Sequence, residues 1–342
     1  SFVSITRNQL GSAVKEHIIS LEQADALFEF LQTQSHDVPR FTITHVLYYF
    51  GGLIAIGAMT LFMGIGWESF GGSGILLISA LYAAIGLKVT HVLSAKKLDI
   101  PAGICATFLV CLTPLVIYSL QEMLDVWPKG TAYQDFHREI KWHWLYMELG
   151  ALAVGAVLAW KYKYPFLIMP IVVTLWFITM DIAVGFYGEN WELRKLVSLF
   201  VGLLMIGFAF WTDIKFWRKA DYAFWIYIFG VIAFWGGLSF LDSHNELSKF
   251  IYFCINLLMI GVGVLLTRRV FVVFGGLGSC VYLGYLAFNL FEASWSFPFA
   301  LTVIGLAIIY LGILWQKHEK AITERALKML PYSLRKALEK RL

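Results

Sequence analysis

Charge is scarce in this chain. Of its 342 residues only 15% are Asp, Glu, Lys or Arg, against about 25% in soluble globular proteins. Hydrophobic residues make up 59% and the mean hydropathy is +0.71. A water-soluble fold of this size lacks the polar cover for so much apolar side chain, which argues against an ordinary soluble enzyme. Cysteine is sparse too. Cys105, Cys111, Cys254 and Cys280 all fall inside apolar runs with no Cys-x-x-Cys spacing, so they read as small buried hydrophobes. The net charge of +4 comes from basic residues scattered among short polar segments, so nucleic acid is not an expected partner. No phosphate-binding glycine loop, haem motif or zincin motif is present, and no cofactor or metal is expected. The first forty or so residues are polar and amphipathic, so no cleavable signal peptide is expected there.

What the chain has in quantity is long apolar runs. Stretches near 44–66, 73–94, 100–120, 144–160, 164–187, 195–213, 221–241, 249–267, 270–291 and 295–316 each approach the length of about 20 residues that crosses a bilayer as a helix. A helix satisfies its own backbone polar groups, as hydrocarbon requires. The expected fold is all-α: a polytopic transmembrane bundle of about ten spans over 43–316. A cytoplasmic helical hairpin is expected over 1–42 and a basic amphipathic tail over 317–342. In the hairpin, Ser20 and Gln23 form a capping-box pair that starts the second helix. In the tail, Leu334, Leu338 and Leu342 share one face among basic residues, a pattern suited to an anionic lipid surface.

Orientation follows from lysine and arginine. With an even number of spans, 21 of the 27 fall on the side of both termini, including Lys96, Lys97, Lys161, Lys163, Arg268 and Arg269. The positive-inside rule then puts both ends in the cytoplasm. Tryptophans mark both boundaries, with Trp67, Trp142, Trp144, Trp191 and Trp295 at outer ends and Trp160, Trp211, Trp217 and Trp315 at inner ones. Three outer turns also read alike, at Gly64–Ser69, Gly188–Glu192 and Glu292–Ser296. That likeness suggests either a parallel four-helix duplication or convergence on ordinary interface turns.

Intramembrane polarity is the sharpest functional signal. Glu148, Asp181, Asn256 and Asn289 stand within apolar spans. The first three lie about four to seven residues below the outer ends, roughly 6–10 Å deep. Glu68, Glu122, Asp125, Glu189, Glu192 and Glu292 form an outer rim above them, with Asp242 nearby. A carboxylate in hydrocarbon costs several kcal/mol by insertion scales, so it faces a bundle interior or a wet cavity. One reading is an outward-open pocket in which Glu148 and Asp181 bind a cation or exchange a proton; the other is interhelical hydrogen bonding. Thr174 with Asp181, and Tyr252 with Asn256 and Gly263, each share a face that could line one wall. Thr113-Pro114 marks either a functional helix break or an ordinary membrane proline. His137 and His143, with Glu139 and Glu148 near, lack the i, i+4 spacing of a metal pair on one helix. Gly71-Gly72-Ser73-Gly74 superficially matches a rhomboid-type protease motif, but no buried outer-side histidine accompanies it, and a turn explains it better. Gly51/Ala55, Ala151/Gly155 and Gly275/Ser279 read as small-residue helix contacts, inside the bundle or in a homo-oligomer.

The run Ile18-Ile19-Ser20-Leu21-Glu22-Gln23-Ala24-Asp25-Ala26-Leu27, followed by Gly51–Gly57 and Trp67, resembles the opening of a family of uncharacterised bacterial predicted membrane proteins. In that family a hairpin reading I-S-x-E-Q-A-x-x-L precedes a glycine-rich span ending before tryptophan. Gly66 stands where the family usually has Asn, and Glu16-His17 replaces its upstream glycine region. The likeness covers about the first ninety residues. It implies a bacterial inner-membrane setting and brings no activity, so no functional residues follow from it. Three functions are consistent with the sequence: a small-solute or ion transporter, a membrane scaffold or sensor that docks a cytoplasmic partner through its hairpin, and an enzyme acting on a lipid-linked substrate. The partners expected are membrane lipids, that docked protein and, in a homo-oligomer, further copies of the chain.

Overall fold

A computed structural model of the chain describes residues 5–34, 43–124, 142–188, 190–216, 221–242, 244–290 and 296–339. All the regular structure among them is helical. Two compact units form, Val3–Asp242 and Ser243–Leu342.

The first unit opens with a hairpin of α1 (Arg7–Lys15) and α2 (Leu21–Gln34). Both helices start at reciprocal capping boxes. Ser20 N–H donates to Gln23 Oε1 at 3.0 Å and Gln23 N–H to Ser20 Oγ at 3.1 Å, as the sequence pattern predicts. Thr6 and Gln9 repeat the device on α1. His17 closes α1 in the left-handed region, at φ 58°. Leu10 and Ala24 are buried, while Arg7 reaches Asp25 at 3.5 Å and lies over the Phe28 ring.

Next come α3 (Ile43–Ser69), α4 (Gly71–Ala95), α5 (Asp99–Met123), α6 (Trp142–Tyr162), α7 (Ile168–Tyr187), α8 (Trp191–Phe216) and α9 (Ala223–Ser239). The glycines at 71–74 form the tight turn into α4, where Gly71 takes φ +66°. The central helix is α5. Small residues at Ala102, Gly103 and Ala106 let the turn between α6 and α7 close on it, and Leu109, Leu112, Leu115 and Tyr118 fill the space among α3, α4 and α6. It runs unbroken through Pro114, which fits the ordinary-proline reading. The hairpin of α8 and α9 is tight for a specific reason: a Cβ on Gly202 would lie 2.3 Å from the backbone nitrogen of Phe234, and one on Gly237 2.5 Å from the Lys195 carbonyl. Trp176 Nε1 donates to Ser198 Oγ at 3.0 Å, and Ser198 donates to the Ala233 carbonyl at 2.9 Å, tying α7, α8 and α9 together.

The second unit holds α10 (Glu246–Leu266), α11 (Arg269–Tyr285) with a π-helical turn at Leu286–Leu290, α12 (Ser296–Lys328) and α13 (Tyr332–Glu339). The amphipathic tail is thus a continuation of α12 followed by a short helix; Leu342 lies outside the described residues.

Among the described residues, each of the ten apolar stretches is mainly helical. Seven helices among the described residues are long and apolar enough to cross a membrane: Gly71–Ala95, Asp99–Met123, Pro165–Tyr187, Trp191–Phe216, Glu246–Leu266, Arg269–Asn289 and Leu301–Ile322. Ile43–Met59 and Ala223–Ser239 are apolar but shorter. Polarity runs inside out. Leu77, Leu204 and Val303 face outward, at 73%, 75% and 66% exposure, while Glu148, Asp181, Asp213 and Asn256 are buried. Water would reverse that distribution. The first two segments of the sequence repeat differ where they are described: Trp67 lies in the last turn of α3, whereas Trp191 starts α8. Residues 291–295, the middle of the third, lie outside the described residues.

Candidate functional site

The turn between α6 and α7 decides which residues meet. Lys163 adopts φ 57°, its N–H closing α6 on the Ala159 carbonyl at 2.9 Å, and Pro165 opens a single 3-10 turn to Leu167. Fourteen residues separate Glu148 from Tyr162, and fourteen separate Asp181 from Leu167. At 1.5 Å per residue both sit about 21 Å from the turn, so antiparallel packing brings them level. The helices also face them toward each other. Glu148 and Asp181 are 5% and 9% exposed, and their carboxyl groups are close enough to interact. Among the described residues no lysine, arginine, tyrosine or amide donates to Glu148 Oε1, Glu148 Oε2 or Asp181 Oδ2. All three oxygens are closed off from the surface.

Two neighbouring and largely buried carboxyl groups without a basic hydrogen-bond partner among the described residues are best accommodated with positive charge between them. A single proton donated from one to the other supplies it, since two carboxylates at a shared site do not both ionise. A small cation held by their oxygens supplies it equally, because hard cations prefer oxygen ligands.

The remaining predicted site residues have other surroundings. Asn256 belongs to the second unit and is fully buried in the contact of α10 with α11. Its Nδ2 donates to the Tyr252 carbonyl at 2.8 Å, and its Oδ1 lies where a Cβ on Gly278 would stand. The face shared by Tyr252, Asn256 and Gly263 is therefore a helix–helix contact, with Gly263 against Phe271 and Val272. Asn289 is exposed on the π-helical turn. Of the rim, Glu122 is half-buried in the last turn of α5, and its Oε2 lacks a hydrogen-bond partner among the described residues. Glu192 pairs with Lys195 at 2.7 Å and also meets Asp242. Asp125, Glu189, Glu292, His137 and Glu139 lie outside the described residues, as do the side chains of Glu68 and His143.

Two polar features escape sequence reasoning. Asp213, 5% exposed near the end of α8, reads in sequence as a boundary residue because it closes an apolar run. Tyr285 accepts from Lys249 Nζ at 2.9 Å and donates to Glu246 Oε1, fastening the start of α10 to the end of α11. Glu246 and Lys249 stand i, i+3 on one helix and pair at 3.7 Å, and their meeting with Tyr285 depends on how the two helices pack.

No family model, curated protein or solved structure matches the chain.

Proposed function

We propose that the chain is a bacterial inner-membrane protein of ten spans with both ends in the cytoplasm, and that it moves a proton or small cation, coupled to a small solute, through the site at Glu148 and Asp181. The lipid-crossing part draws support from the outward-facing apolar surface and the seven long apolar helices. The orientation draws support from the bias of lysine and arginine. One observation carries the functional part: a buried carboxyl pair contributed by neighbouring helices, with no basic side chain donating to its oxygens among the described residues. Intramembrane carboxyls of this kind mark ion paths and proton relays. In this conformation the pair is closed; transport requires an outward opening past the rim of Glu122 and Glu192.

The test is flux in proteoliposomes. Wild-type protein loaded against a pH or sodium gradient, with solute pools added in turn, is expected to dissipate the gradient. Glu148→Gln and Asp181→Asn are expected to remain folded and to abolish that flux. If both variants instead lower thermal stability and the wild type carries no flux, the carboxyls serve packing and the transport reading is wrong.

A second reading, a scaffold that docks a cytoplasmic protein, is favoured by the hairpin alone, where Ile18, Leu21 and Phe30 stand 74%, 66% and 57% exposed. Deleting residues 1–38 then releases a co-purifying partner; an unchanged pull-down counts against it.

A further inference from the structure

The helix α12 is longer than a bilayer needs. It runs unbroken from Ser296 to Lys328. The part long and apolar enough to cross, Leu301–Ile322, has 22 residues, about 33 Å at the helix rise against roughly 30 Å of hydrocarbon. Six further residues lead from Ile322 to Lys328, roughly 9 Å. The helix end therefore lies at the level of the headgroups, a layer of about 5–8 Å. Met329 and Leu330 then turn the chain, and Pro331 precedes α13.

Charge is one-sided here. After Trp315 the chain carries eight lysines and arginines against three glutamates. Lys320, Arg325, Lys328 and Lys336 are exposed. None of the four makes an ion pair among the described residues, although Glu324 stands four residues from both Lys320 and Lys328. At about 100° per residue, Lys317, Lys320, Arg325 and Lys328 fall within an arc of roughly 140°. Ile322 and Met329 share a stripe outside that arc. Met329 and Tyr332 are 88% and 77% exposed at the turn, so apolar side chains stand beside unpaired cations at the helix end.

We infer that the end of α12, with α13, binds the anionic phospholipid headgroups of the adjoining leaflet, while Met329 and Tyr332 enter the boundary beneath the phosphates. Lipid phosphate supplies the negative charge that these cations lack within the chain. Apolar side chains next to cations suit the junction of headgroups and acyl chains. Lys317 and Lys320, short of the helix end, reach the same layer by extending along the helix. A zwitterionic surface offers the cations no net attraction. An acidic protein offers charge but arrives from dilute solution, whereas α12 holds the tail beside the leaflet at high effective concentration. The proposal rests on α12 crossing the bilayer and is independent of the carboxyl pair and of the transport reading.

The experiment uses the full chain in nanodiscs of phosphatidylcholine, alone or with about one third phosphatidylglycerol, and reads amide hydrogen exchange. Exchange over 329–336 is expected to be about fivefold slower with phosphatidylglycerol at low salt. The difference is expected to vanish at about 1 M salt, where the Debye length falls to roughly 3 Å. Lys320→Gln, Arg325→Gln, Lys328→Gln and Lys336→Gln, made together, are expected to abolish it. The same variant is expected to keep the wild-type thermal midpoint and the wild-type exchange in α5, since these side chains hold nothing else together. Equal exchange in the two lipids overturns the proposal. Protection by soluble polyglutamate in phosphatidylcholine discs, matching that by phosphatidylglycerol, identifies a dock for acidic protein and overturns it too. Rapid exchange over 301–316 in both discs is a different failure: α12 then does not cross, and the proposal falls with the span.

Discussion

A Cβ placed on Gly278 would lie 1.9 Å from Oδ1 of Asn256, which is wholly buried between α10 and α11. The amide occupies the volume that only a hydrogen at position 278 leaves free. Gly275 repeats the relationship one turn earlier, 2.6 Å from the Asn256 carbonyl. Gly278→Ala is therefore expected to lower the stability of the detergent-solubilised protein by about 1–3 kcal/mol, the usual cost of overpacking. Gly276→Ala, with nothing within 4 Å of its Cβ, is the control and is expected to be neutral or slightly stabilising. Thermal unfolding followed by circular dichroism separates the two.

The same contact shows what the sequence could not convey. Apolar length alone located the helices of the bundle, seven of them long and apolar enough to cross a membrane, because a run of greasy residues in this composition has few other uses. It did not fix their rotation. A helix apolar on every side has no stripe to orient it, so the sequence leaves Asn256 a candidate for a pocket wall, whereas it packs against the glycines of α11 and donates to the Tyr252 carbonyl. The level pairing of Glu148 and Asp181 was easier to read, since it follows from equal distances to one short turn. Asp213 was missed because a carboxylate at the end of an apolar run looks like a boundary residue. Its burial depends on how α8 packs.

Ser198 accepts from Trp176 and donates to the Ala233 carbonyl. Ser198→Ala removes both bonds and leaves the indole N–H unpartnered in an apolar contact. Side-chain hydrogen bonds within membranes average about 0.6 kcal/mol, up to roughly 1.7. A loss of about 1 kcal/mol is expected, read by thermal unfolding and by a shift in tryptophan emission. Ser73→Ala, in the first turn of α4, is expected to change neither.

The hairpin offers a local test. Ser20→Ala removes the acceptor for Gln23 N–H, and losing such a cap costs about 1 kcal/mol. Amide hydrogen exchange over the first turn of α2 is expected to rise about fivefold, with exchange in α5 unchanged. An unaltered first turn would mean that packing on Leu10 and Ala24 holds the hairpin without the cap.

Gly202→Ala probes the close backbone crossing of α8 and α9 in the first unit. Its Cβ would meet backbone atoms of Phe234, which cannot rotate away as a side chain can. Unfolding or misassembly is expected, seen as aggregation on size-exclusion chromatography. Gly207→Ala, which faces open space, is expected to elute as the wild type does.

Transport through this site requires one cation or proton held between Glu148 and Asp181, and infrared difference spectroscopy of the reconstituted protein reads it most directly. In metal-free buffer at neutral pH, the wild type is expected to show one protonated-carboxyl band, lost in Glu148→Gln and in Asp181→Asn and perturbed when sodium is added. A band unchanged in both variants, or no such band and no response to any cation, would contradict the account.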